Sequence, residues 1–196
     1  METELTKNLK RAIHRYRPIM PTQMRTVRYA DEVWTPTGIV DSIRFEDIPV
    51  KVYNGCSKLE RNEKCKFGSH ICELGDYCKG CVFHKHAVLE TGICITCFEC
   101  KITLQDFKSP NGHNFHGNKN YYVVPKELVA KIKDLVPEDI GIITYYGNGS
   151  LRMYKECVYK EIDKELKIRL LYDALKKWCD GNQTFCRNGR NDKRKT

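Results

Sequence analysis

Two short stretches carry residue types whose spacing can do chemistry. Residues 38–46 alternate, with Ile39, Ile43 and Phe45 on one side of an extended chain and Ser42, Arg44 and Glu46 on the other. Asp41 falls on the apolar side of that pattern. A carboxylate there costs several kcal/mol unless it is hydrogen-bonded, neutralised or bound to a cation. In Phe98-Glu99-Cys100-Lys101-Ile102 the apolar Phe98, Cys100 and Ile102 share one face of a strand, while Glu99 and Lys101 share the other. Two carboxylates are hard oxygen ligands of the kind Mg²⁺ or Mn²⁺ takes, with positions left for water and a phosphate oxygen. A lysine beside such a cation can orient or deprotonate an attacking water, or steady charge on a phosphate. As a bare pattern, Glu-x-Lys also describes a surface ion pair.

A second set is rich in sulfur. Eight of the 11 cysteines fall between Cys56 and Cys100. The chain starts without a secretion pattern, so clustered reduced thiols read as metal ligands before they read as disulfides. Cys78 and Cys81 form a Cys-x₂-Cys pair, and Cys94 and Cys97 repeat it. Together they are compatible with a zinc ribbon. A self-contained set of Cys56, Cys65 or Cys72, Cys78 and Cys81 is preferred, because Cys94 and Cys97 enter the Glu99 strand. His86 can replace one member. Cys100, Cys157 and Cys179 lie on apolar faces and read as buried thiols.

The elements that must position these residues follow from periodicity. Residues 3–16 form an amphipathic helix with Leu5, Leu9, Ala12, Ile13 and Tyr16 on one stripe, and Lys7, Lys10, Arg11 and Arg15 elsewhere. Residues 24–34 and 38–46 read as two strands joined at Thr35-Pro36-Thr37-Gly38. Residues 47–92 lose periodicity and form a Cys/His-rich insertion, whose missing core metal binding would replace. A strand spans 93–104 and a polar loop 105–118. A short strand follows at 120–124, with Pro125 opening a helix. Residues 140–146 and 151–157 pair across Gly147-Asn148-Gly149. A long helix over 162–178 turns Leu166, Leu170, Leu171, Ala174, Leu175 and Trp178 inward. The expected architecture is a mixed α/β (α+β) core over residues 1–46 and 93–180, an insertion over 47–92, and a basic tail over 181–196.

The order of these parts resembles the PD-(D/E)XK nuclease superfamily. Asp41 stands on one strand and Phe-Glu-Cys-Lys, residues 98–101, on the next core strand. A leading amphipathic helix precedes them, and Asn-Tyr-Tyr-Val-Val-Pro-Lys-Glu-Leu, residues 120–128, looks like the strand, proline, helix segment of small bacterial and phage-type members related to DNA-repair nucleases. The resemblance spans residues 3–46 and 93–157 and omits the cysteine insertion. Val40 stands where the family often has proline. It implies a restriction-endonuclease-like core, with Asp41 and Glu99 as ligands of Mg²⁺ or Mn²⁺, Lys101 as the catalytic lysine, and DNA as substrate, RNA not excluded. Some members add an acidic residue from the first helix or strand, for which Glu32 is the better candidate here and Glu4 the next. Some members carry a four-cysteine iron–sulfur cluster, the lesser alternative to zinc in the insertion.

Charge agrees with a polyanion partner. The 196 residues carry 34 Lys and Arg against 25 Asp and Glu, a net charge of +9. Both ends are basic and the middle is balanced. Arg11, Arg15, Arg25 and Arg28, with His116 and Lys119, are the candidates for nucleic-acid contacts. No apolar run approaches the roughly 20 residues of a membrane span. The expected setting is the cytoplasm of a bacterial or phage-infected cell. The competing class is a non-catalytic, zinc-stabilised adaptor for nucleic acid or protein, in which Glu99 and Lys101 are only a surface pair.

Overall fold

The computed structural model describes residues 3–16, 27–56 and 84–181, with the backbone alone at 49–56, 84–91 and 180–181. The chain divides into two compact units, Met1–Glu46 with Cys94–Thr196, and Asp47–Ile93. The larger unit is built on a six-stranded mixed sheet in the order β1-β2-β3-β4-β5-β6, flanked by helices. A mixed α+β core of this kind is what the periodicity predicts.

Helix α1 (Glu4–Arg15) is capped by Thr3, whose hydroxyl accepts from the Thr6 N–H at 3.2 Å, and carries Glu4 in its first turn and Arg15 in its last. Leu9, Ala12 and Ile13 are buried, whereas Leu5 stays 36% exposed at the start of the helix. The main departure from the helical pattern is Lys10, buried although it lies beside the apolar stripe.

Strands β1 (Val27–Thr35) and β2 (Gly38–Cys56) pair antiparallel. Strand β3 (His84–Cys100) pairs parallel with β4 (Lys119–Pro125), which pairs parallel with β5 (Gly141–Tyr146). Strand β6 (Ser150–Lys155) closes the sheet antiparallel to β5. Strands β2 and β3 continue beyond the segments that alternation marks, into the region expected to be irregular. With parallel neighbours at both edges and helices over both faces, β4 is buried throughout, hence its uninterrupted Tyr-Tyr-Val-Val run.

Alternation splits the sheet into two cores. Phe98, Cys100, Tyr121, Val123, Ile143 and Tyr145 pack with α1. Tyr122, Val124 and Ile142 pack on the other side with Leu128, Val129 and Ile132 of α3 (Lys126–Ile132) and with Phe107 of α2 (Leu104–Lys108). Pro125 ends β4 and caps α3, so the proline marks the boundary one residue before the helix.

Helix α2 occupies part of a stretch expected to be loop. Thr103 caps it, accepting from the Asp106 N–H at 3.0 Å, and Asp106 reaches back to the Ile102 N–H at 3.0 Å. Thr103-x-x-Asp106 is the sequence signature of such a start, overlooked among Gly and Asn residues. Helix α4 (Lys164–Gly181) packs on β1, and its Trp178 indole donates to Tyr29 O at 2.6 Å. Leu170 and Ala174 are buried, but Leu175 is 49% exposed, against the inward position its spacing predicts. The expected inward stripe is too wide because α4 contacts mainly one edge strand. Among the described residues no helix is long and apolar enough to cross a membrane.

Candidate active site

The C-terminal end of β3, the first residues of β2 and the start of α1 surround a pocket of about 580 Å³. Its charged lining is Lys10, Glu32, Asp41, Glu99, Lys101 and Asp106, four carboxylates against two lysines. Asp41, Glu99 and Lys101, separated in sequence by the whole insertion, are therefore neighbours. Glu99 is 1% and Lys101 3% exposed. The alternative of a surface ion pair does not describe them.

Backbone geometry fixes each acid. Asp41 Oδ2 accepts from the Cys100 N–H at 2.8 Å, which ties β2 to β3 at the site. Glu99 Oε1 accepts from the Asn114 N–H at 3.0 Å. The two carboxylates lie within hydrogen-bonding reach of each other. Burial raises the pKa of both, and Asp41's charge pushes Glu99 further up. Without a cation the pair holds a proton that two isolated carboxylates would lose.

Lys101 points at the loop rather than at Glu99. Its Nζ donates to Asn111 O at 2.6 Å and Asp106 O at 3.2 Å, with Asp106 Oδ1 at 3.5 Å. Gly112, at φ 73°, lets the loop close over the lysine. A Cβ there would stand 2.5 Å from Lys101 Nζ and 3.3 Å from Glu99 Oε2. The left-handed φ favours glycine, and a side chain there would push the Lys101 ammonium aside.

Asn114 joins the pieces. Besides binding Glu99 through its backbone, its side chain donates to Ile39 O at 2.7 Å and accepts from the Thr37 hydroxyl at 2.9 Å. The loop expected to be ordinary hydrophilic chain is thus the site's frame, and Asp106, Asn111, Gly112 and Asn114 are residues that sequence reasoning missed. His113 belongs to this frame too. One ring nitrogen faces the Ser109 carbonyl at 2.8 Å, so it carries the proton, and the other accepts from the Tyr122 hydroxyl.

Helix α1 supplies Lys10, also missed. Its ammonium lies 3.2 Å from Glu32 Oε1 and 3.9 Å from Asp41 Oδ1. Thr3, Thr6 and Lys10, three and four residues apart, form the pocket-facing stripe. Glu32 sits opposite Asp41 between the Asp31↔Ser42 and Val33↔Val40 pairs, at φ 54°. That conformation is uncommon for a side chain larger than glycine's and marks strain at the pocket rim. Of the two additional acids, Glu32 lines the pocket; Glu4 instead pairs with Arg11 at 3.2 Å on the exposed face of α1.

The donor set suits a hard divalent cation. One oxygen of each acid is held by a backbone N–H, and the excess of carboxylates over lysines is negative. Among the described residues no group of three or more His, Cys, Asp or Glu could by itself hold a metal ion. The protein offers two carboxylates here, and any remaining coordination would come from water and substrate.

The other sequence candidates are dispersed. Arg11, Arg15 and Arg28 are exposed, Arg28 donating to its neighbour Val27 O. His116 bonds the Thr37 hydroxyl at 2.8 Å, and burial lowers its pKa, which disfavours a cationic role. Lys119 pairs with Thr96, away from the pocket end of β3. Cys94 and Cys97 are buried in β3, where burial pushes the Cys97 thiol up to about 12. Cys100 is buried, and Cys157 and Cys179 are half-buried free thiols. Cys56 and His86 lie on β2 and β3, with side chains outside the described residues, as are Arg25, Cys65, Cys72, Cys78 and Cys81.

No family model and no curated protein matches the chain. A solved structure of a protein of unknown function from Silicibacter pomeroyi is similar over 93% of this chain and 92% of its own, at 12% identity and a TM-score of 0.54. At that identity the likeness shows the fold alone.

Proposed function

We propose that this protein is a metal-dependent nuclease of the PD-(D/E)XK type that hydrolyses phosphodiester bonds of DNA. The observation that carries the reading is the like-charged pair of a half-buried Asp41 and a buried Glu99 beside the buried Lys101. A purely structural ion pair sets opposite charges together; two adjacent carboxylates are stable in a pocket when a cation joins them. The order Asp, Glu-x-Lys, strand, proline, helix supports the same reading.

Asp41 and Glu99 would hold Mg²⁺ or Mn²⁺, which when bound supplies Lewis acidity and neutralises charge on the phosphate. Lys101 keeps a fixed positive charge beside them, held by the Asp106 and Asn111 carbonyls. There it orients the attacking water and offsets charge developing on the phosphoryl oxygens. Water adds to phosphorus, the bond to the leaving oxygen breaks, and that oxygen takes up a proton. Lys10 offsets the negative charge of Asp41 and Glu32. Lys7, Arg11, Arg15, Arg25 and Arg28 would contact the DNA backbone. The insertion would bind zinc through Cys56, Cys65 or Cys72, Cys78 and Cys81. The setting would be the cytoplasm.

Cleavage of single- and double-stranded DNA with Mg²⁺ or Mn²⁺ tests the proposal. Asp41→Asn and Lys101→Ala are each expected to lower the rate by about 10²–10³. Full activity in both variants, or no cleavage by the natural protein with either cation, would sink it and leave the adaptor reading.

A further inference from the structure

A second feature lies on the same face of the sheet as Glu99 and Lys101. Glu99 pairs with Tyr122 and Tyr122 with Ile142, so Thr144 and Tyr146, two and four residues beyond Ile142, belong to that face. Arg152, opposite Thr144, and Tyr154 extend it onto β6. Helix α3 forms the other wall with Lys126, Val129, Ala130 and Lys133 around a cavity of about 300 Å³. Two strand spacings separate β3 from β5, about 10 Å, and both strands reach this region with their carboxyl ends.

The composition of this cavity is unlike that of the catalytic pocket. Its lining holds two lysines, two tyrosines and no acid. Arg152 lies 5.0 Å and Lys126 5.7 Å from the centre of the Tyr146 ring. Tyr154 is 53% exposed. An apolar floor, an open aromatic ring and surrounding cations match a nucleobase with its flanking phosphates. A duplex keeps its bases stacked on one another, so an open ring selects an unpaired base.

We propose that the cleft between α3 and the β5–β6 hairpin binds single-stranded DNA, a base stacking on Tyr154 and phosphates meeting Lys126, Lys133 and Arg152. The proposal rests on the nuclease reading and gives it a substrate class, DNA with an unpaired segment beside the cleavage point. The catalytic site would then receive a strand already held at the carboxyl ends of the parallel strands.

The test is fluorescence anisotropy of labelled single-stranded DNA with full-length Lys101→Ala protein, in the presence of a chelator so that binding is read without cleavage. Adding Tyr154→Ala should weaken binding about tenfold, Tyr154→Phe should restore it, and an oligonucleotide lacking bases should be insensitive to both. Lys133→Glu with Arg152→Glu should weaken binding and flatten its salt dependence. These side chains are exposed, and circular dichroism checks that the variants fold. Binding of DNA by the parent that is unchanged in both the Tyr154→Ala and the charge-reversed proteins overturns the cleft and leaves the nuclease reading intact. Cleavage of duplex by the natural protein with no single-strand binding by the parent also overturns the cleft alone. If the natural protein neither cleaves nor binds any nucleic acid, both readings fall together.

Discussion

Strands β2 and β3 carry two buried sets of charges built on opposite rules. Arg44 and Glu46, two residues apart on β2 and each with a side chain 6% exposed, face one another at 3.4 Å. Arg44 also lies 5.7 Å from the Phe98 ring centre. Opposite charges there offset one another's desolvation. Asp41 and Glu99 are like charges, the first half-buried and the second buried, and their desolvation is offset by backbone N–H groups, by Lys10 at the edge and by the charge of Lys101. The contrast separates two uses of buried charge. The first sets opposite charges together, and the second gathers four carboxylates around two lysines.

Three experiments can break or sharpen this contrast. The largest effect is expected at the closed pair. Glu46→Ala, by removing the carboxylate 3.4 Å from the buried Arg44, should cost about 3–5 kcal/mol in chemical denaturation, while Arg44→Met with Glu46→Leu should be near neutral. A loss under 1 kcal/mol for the single change would show that Arg44 does not depend on Glu46. Next comes Gly112→Ala, which drives a methyl into Lys101. Cleavage should fall about 10²-fold, with a stability change of about 1 kcal/mol from the left-handed backbone. A rate equal to the natural protein's would mean that Lys101 need not sit where the loop holds it.

The smallest effect is thermal and concerns the open pair. In the metal-free protein Glu99 titrates at about 8, above its ordinary 4.5, because of burial and the Asp41 charge. The folded chain therefore keeps a proton that the unfolded chain has lost between these values. Stability should fall as pH rises through this window. Glu99→Gln, which keeps the acceptor for Asn114, should raise Tm above that of the natural protein by about 3 °C at pH 9 and not at pH 4. Adding Mg²⁺ should stabilise the natural protein and not the variant. Equal melting of the two proteins at every pH would remove the contrast.

Much of the fold was legible one element at a time. The stripe of α1, the Thr35–Gly38 turn, Pro125 and the Gly147–Gly149 hairpin are local signals, and the elements they mark formed. Patterns judged by exposure fared worse. Ser42, Arg44 and Glu46 alternate as a solvent face and are buried, because the α1 side of the sheet is covered as well. Leu175 fits the apolar stripe of α4 and is exposed, because helix period says nothing about how wide the receiving surface is. The site divides in the same way. An acid on an apolar face and a Glu-x-Lys strand were readable as anomalies. Lys10 was not, since a lysine among four Lys and Arg residues outside the apolar stripe of an amphipathic helix has no signature until Asp41 and Glu32 stand opposite it.

The sequence by itself determined the periodicities, the breaks at proline and glycine, and the misfit of Asp41, since these depend on neighbours a few residues away. Only the tertiary structure decided that Asp41 meets Glu99, that Asn111 and Asn114 hold Lys101 and Glu99, and that α1 brings Lys10 to them. The Cys100–Asp41 hydrogen bond at the site joins residues 59 apart in sequence, and the Asn114–Ile39 bond residues 75 apart. Their energies depend on burial and on which charges face which, and neither exists before the sheet closes.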